Sequence, residues 1–360
     1  MTEPDHLLAQ SLAHDLRTLR YGSTGVITLD RPAKINALTP AMVRDIIRIL
    51  DDWEQDGDLH LILIDGTGPR GFCAGGDIKY VRDSARAGDG RVEAFWAEEY
   101  RLNAKIAGYK KPVVAFMTGI VMGGDVGLSA HTRHRIVTET TRLAMPEVAI
   151  GLIPDVGATW LFSRISGEIG TYLALTGARV GAADAIALGF ADYFVPDTAL
   201  DALKAALVHD GSRDDGRVRS VVERFAASPD EPALAGQRAS IDRAFAYDTV
   251  EEILSALRTE RSEFAFATER EIAAKSPTSL KLTLRALREA RNLDGLQDCL
   301  RLEYRLVCRL LSSHDFSEGI RAAVVDKDRC PKWHPAELAD VSPAGVNSYF
   351  ASLGGHELRL

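Results

Sequence analysis

Residues 111–129 read KPVVAFMTGIVMGGDVGLS, and the fold turns on how that stretch divides. Lys111-Pro112 opens it, and Val113 to Met117 is a short, wholly apolar run, the length of a buried strand. The glycine pair Gly123-Gly124 then introduces Asp125-Val126-Gly127-Leu128-Ser129, which reads as a strand-to-helix junction. The first N–H groups of such a helix have no intrahelical partners, so its start is suited to receive a negatively charged oxygen.

Working outward, Gly25 to Leu29 (GVITL) reads as a strand running into Asp30-Arg31-Pro32. Thr39 caps a helix with Pro40 at its first position, and Met42, Ile46, Ile47 and Leu50 recur at helical spacing. Leu59 to Ile64 (LHLILI) reads as a strand closed by Asp65-Gly66-Thr67-Gly68, and His134 to Thr138 as another. Strands alternating with helices predict α/β crossovers rather than a sandwich. Beyond Pro196 the pattern changes, and from Leu200 onward helical periodicity dominates. Leu280, Leu284 and Leu287 mark one core stripe; Leu300, Tyr304, Val307 and Leu311 mark another. Ser276-Pro277-Thr278 supplies a helix start, and Asp210 to Asp215 reads as a loop tip. The chain is thereby divided into an N-terminal tail (1–14), an α/β core (15–200) and a helical C-terminal region packed on it (201–360).

The net charge of −8 gives no global basic field, which argues against a nucleic-acid partner. No window approaches the roughly 18 consecutive apolar residues of a membrane span. Met1 to Leu12, with Glu3 and Asp5, has neither a secretory nor a mitochondrial leader layout, so cytoplasmic residence is expected. Cys73, Cys299, Cys308 and Cys330 form no CxxC pair and no metal-type spacing, which predicts free thiols and no metal.

Four segments carry chemistry. Gly71-Phe72-Cys73-Ala74-Gly75-Gly76-Asp77-Ile78 is rich in small residues that let a ligand approach backbone amides. The Gly119 to Ser129 junction is the second. Ala144-Met145-Pro146-Glu147 and Gly151-Leu152-Ile153-Pro154-Asp155-Val156-Gly157 place two carboxylates on loop-rich backbone.

In that order, these segments resemble the crotonase (enoyl-CoA hydratase/isomerase) superfamily. Lys275 to Leu284, Glu303-Tyr304-Arg305-Leu306, His314-Asp315-Phe316 and Asp326-Lys327-Asp328 are similar to its 3-hydroxyisobutyryl-CoA hydrolase branch. The resemblance runs from about residue 15 to the C-terminus. It implies a crotonase-like ββα spiral core with a helical C-terminal region. It also implies hydrolysis of a short 3-hydroxyacyl-CoA, as in valine breakdown, with CoA as part of the substrate and no separate cofactor. Glu147 and Asp155 would be catalytic, and the backbone N–H groups of Gly76 and Gly124 would form the oxyanion hole. Glu99, Ala74, Asp77 and Lys34 would contact substrate. Superfamily members are often trimers or paired trimers, which leaves a homo-oligomer open.

Three features bear on this expectation. The residue three after the oxyanion glycine, where a hydratase carries its second glutamate, is Gly127, and Asp155 replaces a hydratase glycine. Asp125 replaces the usual third glycine, either as an N-cap or as a negative group beside the oxyanion site. Lys34 is displaced by one position from the usual lysine after the loop proline. Two alternatives therefore stand beside the hydrolase: an enoyl-CoA hydratase or isomerase, and a non-catalytic acyl-CoA-binding protein.

Overall fold

In the computed structural model, which describes residues 15–360, the strands are β1 (Leu16–Tyr21), β2 (Thr24–Leu29), β3 (Leu61–Gly66), β4 (Gly71–Cys73), β5 (Val113–Met117), β6 (Ile120–Met122), β7 (His134–Val137), β8 (Arg142–Ala144) and β9 (Tyr193–Phe194). The tail at 1–14, and with it the reading of Met1 to Leu12, lies outside the described residues. β1 to β3, β5, β7 and β9 form a six-stranded sheet in the order β1-β2-β3-β5-β7-β9; β4, β6 and β8 form a second. β1 is antiparallel to β2, and every later neighbour in the large sheet is parallel. Parallel neighbours need crossovers, and α1 (Pro40–Gln55) supplies the first, between β2 and β3. The expected cap is present: the Thr39 hydroxyl accepts from the Met42 N–H, with Pro40 in the first turn. Its apolar face buries Met42, Val43, Ile46, Ile49, Leu50 and Trp53.

By internal contacts the described chain separates into two units that are discontinuous in sequence. The first holds residues up to Asp77, Arg101–Leu143 and Val180–Ala233; the second holds Ile78–Tyr100, Ala144–Arg179 and Leu234–Leu360. In the first, Leu61, Leu63, Val114, Phe116 and Ile136 of the sheet join one core cluster with Leu203, Leu207, Val218, Val221 and Val222. The last five come from helices Leu200–Asp210 and Asp215–Glu223. Two helices beyond residue 200 thus belong with the sheet, because burying each such side chain is worth about 1.5–3 kcal/mol and the sheet face requires a cover. The second unit is helical. Its α5 (Ala158–Arg164) follows α2 (Ile78–Ala87), α3 (Arg91–Ala107) and α4 (Gly124–Ser129) in chain order. Helix Pro277–Ala290 packs on α5, starts at the Ser276 cap, and ends where Arg164 donates to the Ala290 and Leu293 carbonyls.

Two local expectations shift. The strand read at 59–64 runs instead from Leu61 to Gly66, because its parallel register pairs Leu61 with Thr24 and carries Asp65 and Gly66 opposite Thr28 and Leu29. Leu311 falls outside the core stripe: helix Leu296–Leu310 ends before it, while Leu300, Tyr304 and Val307 are buried. The loop tip near Gly211 and the strands at β2, β5 and β7 lie where expected. Among the described residues no helix is long and apolar enough to cross a membrane.

β4 and β6 meet backbone on backbone. Gly71 has φ +148°, and an added Cβ would lie 2.1 Å from the Ile120 nitrogen. Gly71→Ala is expected to cost about 2–4 kcal/mol in denaturant unfolding. Gly236→Ala, where an added Cβ meets nothing within 4 Å, should stay within about 0.5 kcal/mol.

Candidate active site

In the first unit the β4–β6 ladder sets two glycine turns side by side, the turns that follow each strand. Leu38 pins the first: its N–H donates to the Gly75 carbonyl at 2.8 Å, and its carbonyl accepts from the Asp77 N–H at 2.9 Å. The Ala74 N–H is likewise committed, to the Ile35 carbonyl. Between them the Gly76 N–H donates to no backbone carbonyl among the described residues. Gly75, at φ +90°, comes so close to the second turn that an added Cβ would lie 2.9 Å from the Met122 carbonyl oxygen and 3.1 Å from the Gly124 nitrogen. Gly124 begins α4 after Gly123, which is at φ +61°, so its N–H is one of the helix-start donors that lack an intrahelical acceptor. Both amide-bearing turns of the sequence reading are therefore neighbours.

Ala74 is half-buried within this turn. The Asp77 carboxylate is paired with Arg31 at 2.8 Å, which ties the turn to the Pro32–Lys34 segment. Lys34 is exposed on that single-turn helix, one residue before the Ile35 carbonyl that holds Ala74. Asp125 departs from the capping reading. Gly123 occupies the cap position, and Asp125 lies one residue inside the helix, fully buried. A helix start favours an anion by only about 0.3–1 kcal/mol, against an effective burial penalty of several kcal/mol for an ion. Burial accordingly raises the Asp125 carboxyl well above the usual carboxylate range.

In the second unit the structure gathers Glu99, Glu147 and Asp155, all less than a tenth exposed. Glu147 opens the one-turn helix Glu147–Ile150 after Pro146, and its carbonyl accepts from the Leu152 N–H. Burial first, and then the nearby Asp155 charge, raise both Glu147 and Glu99, the latter to about 8. Asp155 is raised to about 6 by burial, against the opposing hydrogen bond from the Tyr100 hydroxyl at 2.6 Å. One oxygen of Glu99 and one of Glu147 have no partner. Buried, underused carboxyls with raised affinity for protons suit acid–base chemistry.

The sequence reading missed what holds this cluster. Glu303 accepts from the Gly157 N–H at 2.7 Å, and from the Thr159 N–H and hydroxyl at 2.8 and 2.6 Å. It thereby clamps the turn after Asp155, where Val156 has the costly φ of +53°. Asp315 accepts from the Ser276 hydroxyl at 2.5 Å and the His334 N–H at 2.7 Å. Its helix, His314–Ile320, abuts the Glu147 turn so closely that a Cβ at Gly151 would lie 2.4 Å from the Asp315 backbone. The signal was present, since Ser276, Glu303 and Asp315 lie in the motifs that carried the resemblance, but their spacing in sequence gives no contact. Among the described residues no cluster fits a metal ion, and none of the four cysteines is in a disulfide.

Two outcomes follow from these carboxyls. Tyr100→Phe removes the bond that favours ionised Asp155, so the Asp155 titration, followed by carbon-13 NMR, should move above its native value of about 6. Glu99 binds its proton more tightly folded (about 8) than at the ordinary 4.5, so its contribution to stability is complete below that value and lost as pH rises through about 8. Urea midpoints should therefore fall between about pH 5 and pH 9, and Glu99→Gln should flatten that slope.

The comparisons agree with this frame. The enoyl-CoA hydratase/isomerase family pattern matches residues 24–350. The mitochondrial 3-hydroxyisobutyryl-CoA hydrolase of Xenopus laevis is 43% identical over 346 residues, 95% of this chain and 90% of that protein. The enzyme of the same name from Rattus norvegicus is 44% identical, over 94% of this chain and 89% of its own length. The crystal structure of a carnitinyl-CoA dehydratase from Mycobacterium thermoresistibile superposes with a TM-score of 0.91 at 45% identity, covering 96% of this chain and 99% of that one. That of an enoyl-CoA hydratase from Rhodobacter sphaeroides gives 0.89 at 43%, covering 96% and 100%. The expected α/β crotonase fold with a helical C-terminal region is thus the fold of these structures, and the chain belongs to the enoyl-CoA hydratase/isomerase family of the crotonase superfamily, a family of acyl-CoA enzymes.

Proposed function

We propose that the chain hydrolyses a short 3-hydroxyacyl-CoA thioester, with 3-hydroxyisobutyryl-CoA as the leading substrate. In this reading the N–H groups of Gly76 and Gly124 receive the thioester oxygen and stabilise the charge that attack places on it. Each such donor is worth about 3 kcal/mol, or roughly 100-fold in rate. Glu147 either takes a proton from the attacking water, or itself attacks the carbonyl carbon and expels CoA thiolate, leaving an anhydride that water opens. Asp155, bonded to Tyr100, and Glu99 engage the substrate hydroxyl, and Lys34 faces the CoA phosphates.

The carboxyl inventory carries the reading. Adding water across a double bond in the hydratase manner requires a second glutamate where this chain has Gly127, whereas Asp155 supplies a carboxyl that hydratases lack. The relatives bear divided names, hydrolase among the curated proteins and dehydratase or hydratase among the solved structures. Shared fold does not decide between them, because function resides in the site rather than the frame. These two positions favour the hydrolase.

Purified protein given (S)-3-hydroxyisobutyryl-CoA and a thiol reagent should release thiol, and Glu147→Gln should lower kcat by about 10²–10⁴ while remaining folded. Because Glu147 must be ionised to act and burial raises its proton affinity, the rate should climb with pH. Loss of crotonyl-CoA absorbance without thiol release from the hydroxyacyl substrate would replace this reading with a hydratase. A single turnover in oxygen-18 water separates the two routes, since only the anhydride route leaves the label in Glu147. A 3-hydroxypropionyl substrate, one methyl smaller, should differ by no more than about 10- to 200-fold.

A further inference from the structure

Residues 35–38 run beside the Gly76 turn, between the Pro32–Lys34 segment and α1. Leu38 faces Gly76 in a parallel bridge, and its N–H donates to the Gly75 carbonyl at 2.8 Å. That bond sets a direction. The Gly75 carbonyl and the Gly76 N–H belong to one planar trans peptide, so they point opposite ways. Holding the carbonyl on Leu38 therefore aims the Gly76 N–H away from Leu38.

Asn36, two residues earlier, anchors this segment. It is fully buried, and its side-chain amide bonds main chain at every contact. Its Oδ1 accepts from the Arg31 N–H at 2.8 Å. Its Nδ2 donates to the Thr67 carbonyl at 2.9 Å and the Phe72 carbonyl at 2.8 Å, with the Gly71 carbonyl at 3.3 Å. Donors set against carbonyls, and an oxygen set against an N–H, leave one workable orientation of the amide. The Asn36 carbonyl also accepts from the Cys73 thiol at 3.1 Å. One residue thus ties the loop before α1 to the turn after β3 and to β4, the strand that leads into Gly75 and Gly76. Ile35 and Asn36 stand at φ +48° and +51°, a left-handed region that asparagine tolerates and a β-branched isoleucine resists. The Asn36 bonds offset the cost of keeping both there. Gly66 leaves room for them, since an added Cβ would lie 2.7 Å from the Asn36 Nδ2.

We propose that Asn36 is a positioning residue for the reaction: acting through Leu38, it holds the Gly75–Gly76 peptide so that the Gly76 N–H meets the thioester oxygen. The role rests on the proposed function of that N–H. Its effect is geometric, and misplacing a group by about 1 Å can cost on the order of 100-fold in rate. The loss falls on kcat, because the donor matters most when charge develops on the oxygen.

Asn36→Asp keeps the shape and the left-handed backbone but, when ionised, donates to none of the Thr67, Gly71 and Phe72 carbonyls. Thiol release should fall about 100-fold in kcat with KM little changed. Loss of folded protein would imitate that pattern, so the bound carbonyl supplies a second readout. (S)-3-hydroxyisobutyryl-CoA labelled with carbon-13 at the thioester carbonyl, bound to Glu147→Gln protein, should show an infrared band below its solution frequency. Adding Asn36→Asp should return the band toward the solution value. Hydrogen exchange reads the turn without substrate: the Ala74 and Asp77 amides, bonded to Ile35 and Leu38, should exchange faster in Asn36→Asp while β3 and β5 keep their protection. An unchanged kcat, an unmoved carbonyl band or unaltered exchange at those two amides would overturn the role. Asn36→Gly, which allows the same backbone and deletes the amide, takes its place if the Asp variant does not fold. If neither folds, the wild type decides: Ala74 and Asp77 should exchange no faster than β3, and exchange by local opening overturns the role. If no acyl-CoA releases thiol from the wild type, the functional reading fails while exchange at Ala74 and Asp77 still decides what Asn36 holds.

Discussion

An ionised carboxyl taken out of water costs several kcal/mol unless it is well paired, and this chain buries several carboxyl groups that form no ion pair among the described residues. Glu99, Glu147, Asp155 and Glu303 lie in the helical unit, and Asp125 lies in the sheet unit. The favourable free energy that tolerates them is not local. Apolar burial around them must offset their desolvation, and the groups respond by holding protons to higher pH. That response is the property a general base near neutrality requires, so the same burial that weakens the fold prepares the chemistry.

The carboxyls differ in how they are held, and the differences sort their roles. Glu303 accepts three hydrogen bonds and works as a clamp on the turn that carries Asp155. Asp155 takes one from Tyr100. Glu147 and Glu99 each keep an oxygen without a partner, which leaves capacity for water or substrate. The more a buried carboxyl is satisfied by the protein, the less it has to offer a ligand.

The sheet unit contributes by a different means. Its functional groups are main-chain amides, fixed by how closely two strands approach, and glycine is the residue that permits this. Gly71, Gly75 and Gly119 are sites where a Cβ would collide with facing backbone at less than 3 Å. The substitution that would disturb these donors is therefore the addition of a carbon at a neighbouring glycine, since the donors themselves have no side chain to delete.

Much of this was legible in the sequence because it depends on local chemistry. The five-residue apolar run before the glycine pair, the Thr39 and Ser276 caps and the loop prolines each specify short-range geometry, and the structure has them in place. The resemblance brought Glu147, Asp155 and Glu99 forward together, although no spacing explained why residues 48 and 56 positions apart from Glu99 should meet. What only the tertiary structure decided were the long-range contacts: Glu303 on Gly157, Asp315 on Ser276, and Tyr100 on Asp155. It also decided that Asp125 points inward instead of capping, and that two helices beyond residue 200 belong with the sheet. The physical reason is the same in each case. Propensity and capping act over a few residues of chain, whereas burial and hydrogen-bond pairing are settled by which segments the whole core brings together.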